Sequence, residues 1–323
     1  MSKKNSLMVS DSIFDCLVEA QRLLDDLPEI GNKQGEYINN SAPEDLMLSS
    51  NWLEKCVSLC ESGVLPSREP IRTIHHLSCT GGSLLSKCLS AMPNTILLSE
   101  LNPASSMGIN LDKPSFSPTD VIRLSHYAQV PNVEELSKDI FLSDINILSN
   151  HLYKTGKQLV IRDHTHSDFL YNEVANNSFI DILRNKFDTL SLVTVRHPID
   201  SYLSLIKNGW AHFEPKDLSE YCRRYLLFLD GYQGVTIIKY EDFIANPLGV
   251  MENICETLML PYNEDFLDFF DISLVTGDSG RSSSTIASRP RREYSDDLVN
   301  HSLKCREYLN LCERLDYDPC LTE

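Results

Sequence analysis

Three short runs in this sequence hold residues whose types and spacing could bind an anion and move a group attached to it. Residues 78–87 read Ser-Cys-Thr-Gly-Gly-Ser-Leu-Leu-Ser-Lys. Gly81 and Gly82 let backbone amides approach a negative charge with no Cβ in the way, and Ser83 opens the helical pattern that follows. A helix N-terminus adds partial positive charge at that point, and the Thr80 and Ser83 hydroxyls can donate hydrogen bonds. Residues 195–205, Val-Arg-His-Pro-Ile-Asp-Ser-Tyr-Leu-Ser-Leu, end a strand pattern on Arg196 and place Ser204 eight residues later on the next helix. A guanidinium forks onto phosphate oxygens and a hydroxyl supplies a neutral third contact. In Val-Ile-Arg-Asp-His-Thr-His (160–166), Arg162 and His164 stand two apart at a strand end, so both can point at one site.

Other residues need weighing beside these. Glu100 ends the strand pattern Thr-Ile-Leu-Leu-Ser-Glu and could be a base, a cap or an ion-pair partner. Residues 280–293 carry four arginines (281, 289, 291, 292) near Ser282, Ser283 and Ser284. Such a charge run is ordinarily a solvated tail, but in so acidic a chain it also suits a loop closing over an anion. His75 and His76 are adjacent on a strand, so their side chains point opposite ways and no metal site is expected. Cys79, just ahead of a helix, could be a reactive thiol, although no Cys-x5-Arg phosphatase loop accompanies it. A nucleotidase loop would place Lys-Ser or Lys-Thr directly after its last glycine, whereas Lys87 lies a turn into the helix.

The elements that must position these residues alternate. Strand patterns at 71–77, 95–100, 157–164, 189–197 and 234–242 are rich in Val, Ile and Leu and are separated by helical patterns. Continuous apolar strands alternating with helices predict an α/β fold: a three-layer αβα sandwich on a parallel, roughly five-stranded sheet. The glycine run falls on its first strand-to-helix turn. Helical patterns are expected over about 118–156, over 201–210 and 218–230, after Asn246-Pro247, and in one final helix from about Asp296 to Leu315. Residues 1–68 read as a helical N-terminal extension of two patches joined by a polar loop, with residues 69–323 as the main domain.

The chain has 323 residues, 42% of them hydrophobic, which suits one large domain plus an appendage. A net charge of −17 argues against nucleic acid as a partner and mildly against a polyanionic substrate. No apolar run is long enough for a membrane span or a signal peptide. Ten cysteines with no Cys-x-x-Cys pair read as reduced thiols in a cytoplasm, and Cys56 and Cys60 read as core packing.

Taken together with Ile-Ile-Lys-Tyr-Glu-Asp-Phe-Ile-Ala-Asn-Pro (237–247), these runs resemble the sulfotransferases that use 3′-phosphoadenosine-5′-phosphosulfate (PAPS). The resemblance covers about residues 70–292 and implies a P-loop-like 5′-phosphosulfate loop running through Cys79, Thr80, Gly81, Gly82, Ser83 and Leu84. It implies that Arg196 and Ser204 hold the nucleotide's 3′-phosphate, and that Ser282 and Arg289 belong to a late loop covering that phosphate and the adenine. Tyr240, Glu241 and Asp242 would then be structural. Cys79 departs from the pattern, because the family usually has Lys or Arg there; Arg162 could supply part of the missing charge. For the base, His164 resembles the histidine of a Lys-Thr-His motif, and Glu100 the loop-following glutamate of tyrosylprotein sulfotransferases. The implied activity is sulfuryl transfer to a hydroxyl, or an amine, of a glycan, lipid or small molecule, with no metal. A catalytically impaired binder of the nucleotide and a P-loop kinase are the alternatives. The acceptor pocket is expected on the helices at about 105–156 and 205–230, and neither the acceptor nor the oligomeric state can be read from the sequence.

Overall fold

The structure is a computed structural model and describes residues 69–171, 174, 178–277, 285–288 and 290–320. The expected helical extension over 1–68, Cys56 and Cys60 within it, and Ser282 and Arg289 lie outside the described residues.

The chain runs β1 (Ile71–His76), α1 (Gly82–Ser90), β2 (Thr95–Leu101), α2 (Val121–Tyr127), α3 (Val133–Lys154) and β3 (Gln158–Asp163). It continues through α4 (His166–Phe169), α5 (Phe179–Arg184), β4 (Thr189–Val195), α6 (Pro198–Lys207), α7 (Leu218–Gly231) and β5 (Thr236–Lys239). The last helices are α8 (Tyr240–Ala245), α9 (Pro247–Thr257), α10 (Phe266–Phe269), α11 (Asp296–Ser302) and α12 (Arg306–Leu315). The five strands form one sheet in the order β2-β3-β1-β4-β5, every pairing parallel. Helices cover both faces, as the apolar runs predict.

Period-two alternation assigns the faces. Ile74, Val160 and Leu192 point to one side, where Leu84, Leu85 and Leu89 of α1 and Met251, Ile254 and Cys255 of α9 pack on them. Val193 and Val195 point to the other, against Tyr221, Tyr225 and Phe228 of α7 and Tyr308 and Leu311 of α12. Ile71, Leu159 and Ile161 point that way too, toward Phe141 of α3 and Phe179 of α5. Ile74 and Ile161 are wholly buried, which is worth roughly 1.5–3 kcal/mol per side chain.

Two element boundaries differ from the sequence reading. Tyr240-Glu241-Asp242 does not end β5 but forms the first turn of α8, where the two acidic residues suit the helix dipole. The final helix is two helices, because the chain turns through Leu303–Cys305 and buries Cys305 against the core.

The order of the strands reverses at β1: the chain leaves it toward β2 and β3 on one side and later crosses to β4 and β5 on the other. In such sheets the crevice at the carboxyl edge beside the reversal is where ligands bind. The segments following β1, β3 and β4 carry the glycine run, His164 and Arg196 to that edge, and Glu100 lies at the end of β2.

Candidate functional site

The carboxyl edge holds a cleft of about 380 Å³, lined among others by Cys79, Gly81, Gly82, Ser83, Leu84, Glu100, Arg162, His164, Arg196 and Ser204. Residues from four separate sequence stretches therefore line one cleft. Thr80 is not among them. Its hydroxyl donates to the carbonyls of Leu77 (2.8 Å) and Thr194 (3.2 Å), wholly buried, so it pins the loop to β4 instead of facing a ligand.

The glycines are required by geometry. Gly81 sits at φ 100°, in the left-handed region, and a Cβ there would lie 2.6 Å from the Tyr240 ring. Gly82 takes a right-handed conformation, but a Cβ on it would run into the His76 imidazole. Gly81 caps α1 without a side-chain hydrogen bond, and Gly81, Gly82, Ser83 and Leu84 all line the cleft, so the helix N-terminus with its positive partial charge borders the space an anion would occupy. Burial outweighs nearby Arg196 and pushes the Cys79 thiol up to about 11, which disfavours the thiolate that a nucleophile needs.

Arg162 is the centre of the network and is 1% exposed. Its Nε donates to His76 Nε2 at 2.7 Å, and Nη1 donates to Ser99 Oγ (3.1 Å) and the Thr276 carbonyl (2.9 Å). Nη2 donates to Ser83 Oγ at 3.2 Å and to Glu100 Oε1 at 3.1 Å. Arg162 thus joins the α1 N-terminus to the end of β2. Glu100 reaches it from a left-handed backbone, φ 61°, at an irregularity in the β2–β3 register. For a side chain with a Cβ that conformation costs about 1–3 kcal/mol, and it turns the carboxylate off the strand and onto the guanidinium.

His164 follows β3 directly. Its Nδ1 lies 2.7 Å from Ser167 Oγ, and burial lowers its pKa, opposed by Glu100 and reinforced by Arg162. A second histidine pair lines the same cleft: His166 Nε2 and His212 Nδ1 are 2.8 Å apart, and His166 Nδ1 is 2.7 Å from Ser78 Oγ. Burial holds His166 neutral, at about 3. His75, by contrast, points under the sheet to Asp163 at 2.8 Å, so it and His76 diverge as their adjacency requires. Among the described residues no group of three His, Cys, Asp or Glu side chains could hold a metal ion.

At the other end, Arg196 Nη1 donates to the Cys79 carbonyl at 3.4 Å, and its guanidinium lies over the Tyr240 ring, 4.8 Å from the centroid. Ser204, on α6, accepts from Arg292 Nε at 3.1 Å. Arg292 and Tyr240 line the cleft as well. Sequence reasoning singled out the basic loop but placed its weight on Ser282 and Arg289, and it treated Tyr240 as purely structural. Arg291 faces Asp200 instead, donating to both carboxylate oxygens at 2.9 and 3.2 Å. Glu241 is a brace: it accepts from the His197 amide at 3.1 Å and from the Tyr317 hydroxyl at 2.7 Å.

Among solved structures the chain resembles a sulfotransferase from Alicyclobacillus acidocaldarius, at 15% identity and a TM-score of 0.39 over 78% of this chain and 98% of that one. It also resembles mouse sulfotransferase SULT7A1 complexed with PAP, at 12% identity and a TM-score of 0.39 over 78% and 86%. Sulfotransferase STF9 from Mycobacterium avium matches at 12% identity and a TM-score of 0.40, over 83% and 81%. No curated protein sequence matches the chain. No helix among the described residues is long and apolar enough to cross a membrane. The model of the sulfotransferase family matches residues 74–264, more than half of the sequence and the stretch that carries the cleft's glycine run, Arg162, Arg196 and Ser204: the chain belongs to the sulfotransferase family.

Proposed function

We propose that the protein transfers a sulfuryl group from PAPS to a hydroxyl, or an amine, of a glycan, lipid or small-molecule acceptor. The observation that carries this reading is the distribution of positive groups around one cleft. The amide-lined turn at Gly81–Ser83 suits a 5′-phosphosulfate, and Arg196, Ser204 and Arg292 suit the 3′-phosphate. Arg162 supplies the charge that Cys79 lacks, through contacts with Ser83 and Glu100. That favours an active enzyme over a binder that has lost catalysis.

The chemistry asks for cations on the transferring oxygens and a base on the acceptor. Arg162 stabilises the sulfuryl oxygens, an electrostatic role that costs no reorganisation because the guanidinium is already fixed by its partners. Of the two candidate bases, Glu100 has Oε1 engaged by Arg162, whereas His164 is kept neutral by burial and retains one ring nitrogen to accept a proton. This supports His164 as the base, with Glu100 orienting Arg162. The acceptor enters beside Met107, Trp210 and His212, which line the same cleft. The free thiols at Cys88, Cys222, Cys255, Cys305 and Cys312 suit a reducing, cytoplasmic compartment.

Titration of the purified protein with 3′-phosphoadenosine-5′-phosphate and with ATP tests the reading. Preference for the first nucleotide supports it; preference for ATP would return the chain to the kinase alternative. Transfer of labelled sulfate from PAPS across an acceptor panel separates the enzyme from the impaired binder.

A further inference from the structure

Behind His164 the structure contains a pair of hydroxyls that this reading does not yet use. Ser167 Oγ, on α4, lies 2.7 Å from His164 Nδ1, and 2.6 Å from Ser105 Oγ on the loop that follows β2. Ser105 Oγ also accepts from the Met107 amide at 3.2 Å. The two segments are fastened to each other and to the sheet. Asn102 Nδ2 donates to Asp168 Oδ1 at 2.8 Å, the Thr165 hydroxyl donates to the His76 carbonyl, and the His164 amide donates to the Leu101 carbonyl at 3.1 Å.

We infer that Ser167 and Ser105 form a relay that sets the tautomer of His164 and conducts its proton out of the cleft. The inference rests on His164 being the base in the proposed sulfuryl transfer. The Met107 N–H can only donate, so it commits one lone pair of Ser105. In the resting polarity His164 Nδ1–H donates to Ser167, Ser167 donates to the second lone pair of Ser105, and the Ser105 hydrogen turns outward. His164 Nε2 is then bare and able to accept. In the reverse polarity Nε2 carries the hydrogen and His164 cannot act as a base.

The step balances. The acceptor O–H bond breaks and its proton joins His164 Nε2 as the acceptor O–S bond forms. The S–O bond to the donor's phosphate breaks, its electron pair leaving on the phosphate. The Nδ1 proton passes to Ser167, the Ser167 proton to Ser105, and the Ser105 proton to solvent; once product leaves, loss of the Nε2 proton to cleft water and return of one from solvent along the two hydroxyls to Nδ1 restore the resting polarity. Passing the proton onward spares the protein a buried imidazolium beside the Arg162 guanidinium, an arrangement that burial and like charge both disfavour. Both serines are positioning residues that act through His164.

Imidazole ¹⁵N resonances of the full-length protein test the tautomer directly. The wild type is expected to show His164 as Nδ1–H, and Ser167→Ala to shift it toward Nε2–H, with Ser167→Thr restoring it. A wild-type Nε2–H form, or a tautomer indifferent to Ser167→Ala, overturns the inference. Turnover of PAPS with 4-nitrophenol as a probe hydroxyl tests the conduction. Ser105→Ala is expected to lower kcat about 10-fold, a fraction of the roughly 10²–10⁴-fold that a general base contributes, with nucleotide affinity unchanged. A wild-type kcat in Ser105→Ala overturns the relay; if the phenol is refused, the tautomer measurement alone decides. Failure of the wild type to bind 3′-phosphoadenosine-5′-phosphate would instead defeat the functional reading and leave the resonances to be judged on their own.

Discussion

Arg162 Nε donates to His76 Nε2 at 2.7 Å, and His76 Nδ1 is committed to the Leu77 carbonyl at 3.0 Å. The histidine is therefore a neutral acceptor, its pKa held well below the usual value by burial first and by Arg162 next. A buried guanidinium is aimed by at least five partners before any ligand arrives.

Replacing Arg162 by lysine keeps the charge but not the fork, since a single ammonium cannot meet His76, Ser99, the Thr276 carbonyl, Ser83 and Glu100 together. Arg162→Lys is expected to lose about 10²-fold in kcat, the scale of one preorganised electrostatic group put out of place, while nucleotide affinity changes only a few-fold. Steady-state kinetics beside nucleotide titration checks this, and a thermal melt confirms that the variant is folded. Equal losses in affinity and kcat would assign Arg162 to ground-state binding.

The contact between Arg292 and Ser204 separates two neighbouring arginines that look alike in sequence. Arg292→Ala is expected to weaken 3′-phosphoadenosine-5′-phosphate by roughly 10–100-fold, equivalent to one charged hydrogen bond of about 1.5–3 kcal/mol. Arg291→Ala removes the Asp200 pair instead and should leave nucleotide affinity within about 2-fold, because a partly exposed pair contributes at most about 1 kcal/mol. Calorimetric titration of both variants decides it.

The sheet and the cleft's glycine turn were legible in the sequence because their signals are local. Apolar runs mark β1 to β5, and Gly81-Gly82 ahead of an amphipathic helix marks the turn. Arg196 was legible as a guanidinium ending a strand. Thr80 was misread because hydroxyl chemistry says nothing about direction, and two carbonyls, one just after β1 and one in β4, claim its proton. Arg292 was indistinguishable from Arg289 and Arg291, since the choice depends on α6 presenting Ser204 to one and Asp200 to the other. The paired serines behind His164 were invisible for the same reason: Ser105 and Ser167 are 62 residues apart and meet only because β2 and β3 are neighbours.

Substitutions at the glycine turn should divide by mechanism. Gly82→Ala drives a Cβ into the His76 ring, so it disturbs the histidine that aims Arg162. Overpacking of this kind costs about 1–3 kcal/mol. The expected result is a lower melting temperature together with a kcat loss like that of Arg162→Lys. Gly81→Ala carries backbone strain as well as a clash with Tyr240, and Tyr240 is the ring beneath Arg196. It should therefore weaken nucleotide binding more than it slows turnover at saturation. Kd and kcat measured on both variants test the division.

Asp168 gives the stability of the fold a pH dependence of definite sign. Burial, and then the neighbouring Asp163, push its carboxyl up to about 8, while Asn102 opposes them. The native state thus keeps a proton that the unfolded chain releases near 4, and the stability contributed by Asp168 is complete below that pH and is lost as pH rises toward 8. His75 and His166 act in the opposite direction: held at about 3 by burial, both favour the native state above 6.5 and cost stability as pH falls below it. Asp168→Asn keeps the oxygen that accepts from Asn102 and removes the ionisation. Its melting temperature should exceed the wild type's at pH 8 and converge on it at pH 5, by about 2–4 °C for each kcal/mol recovered in a domain of this size. Equal shifts at both pH values would mean that Asp168 is ionised in the native state and that the gain comes from packing.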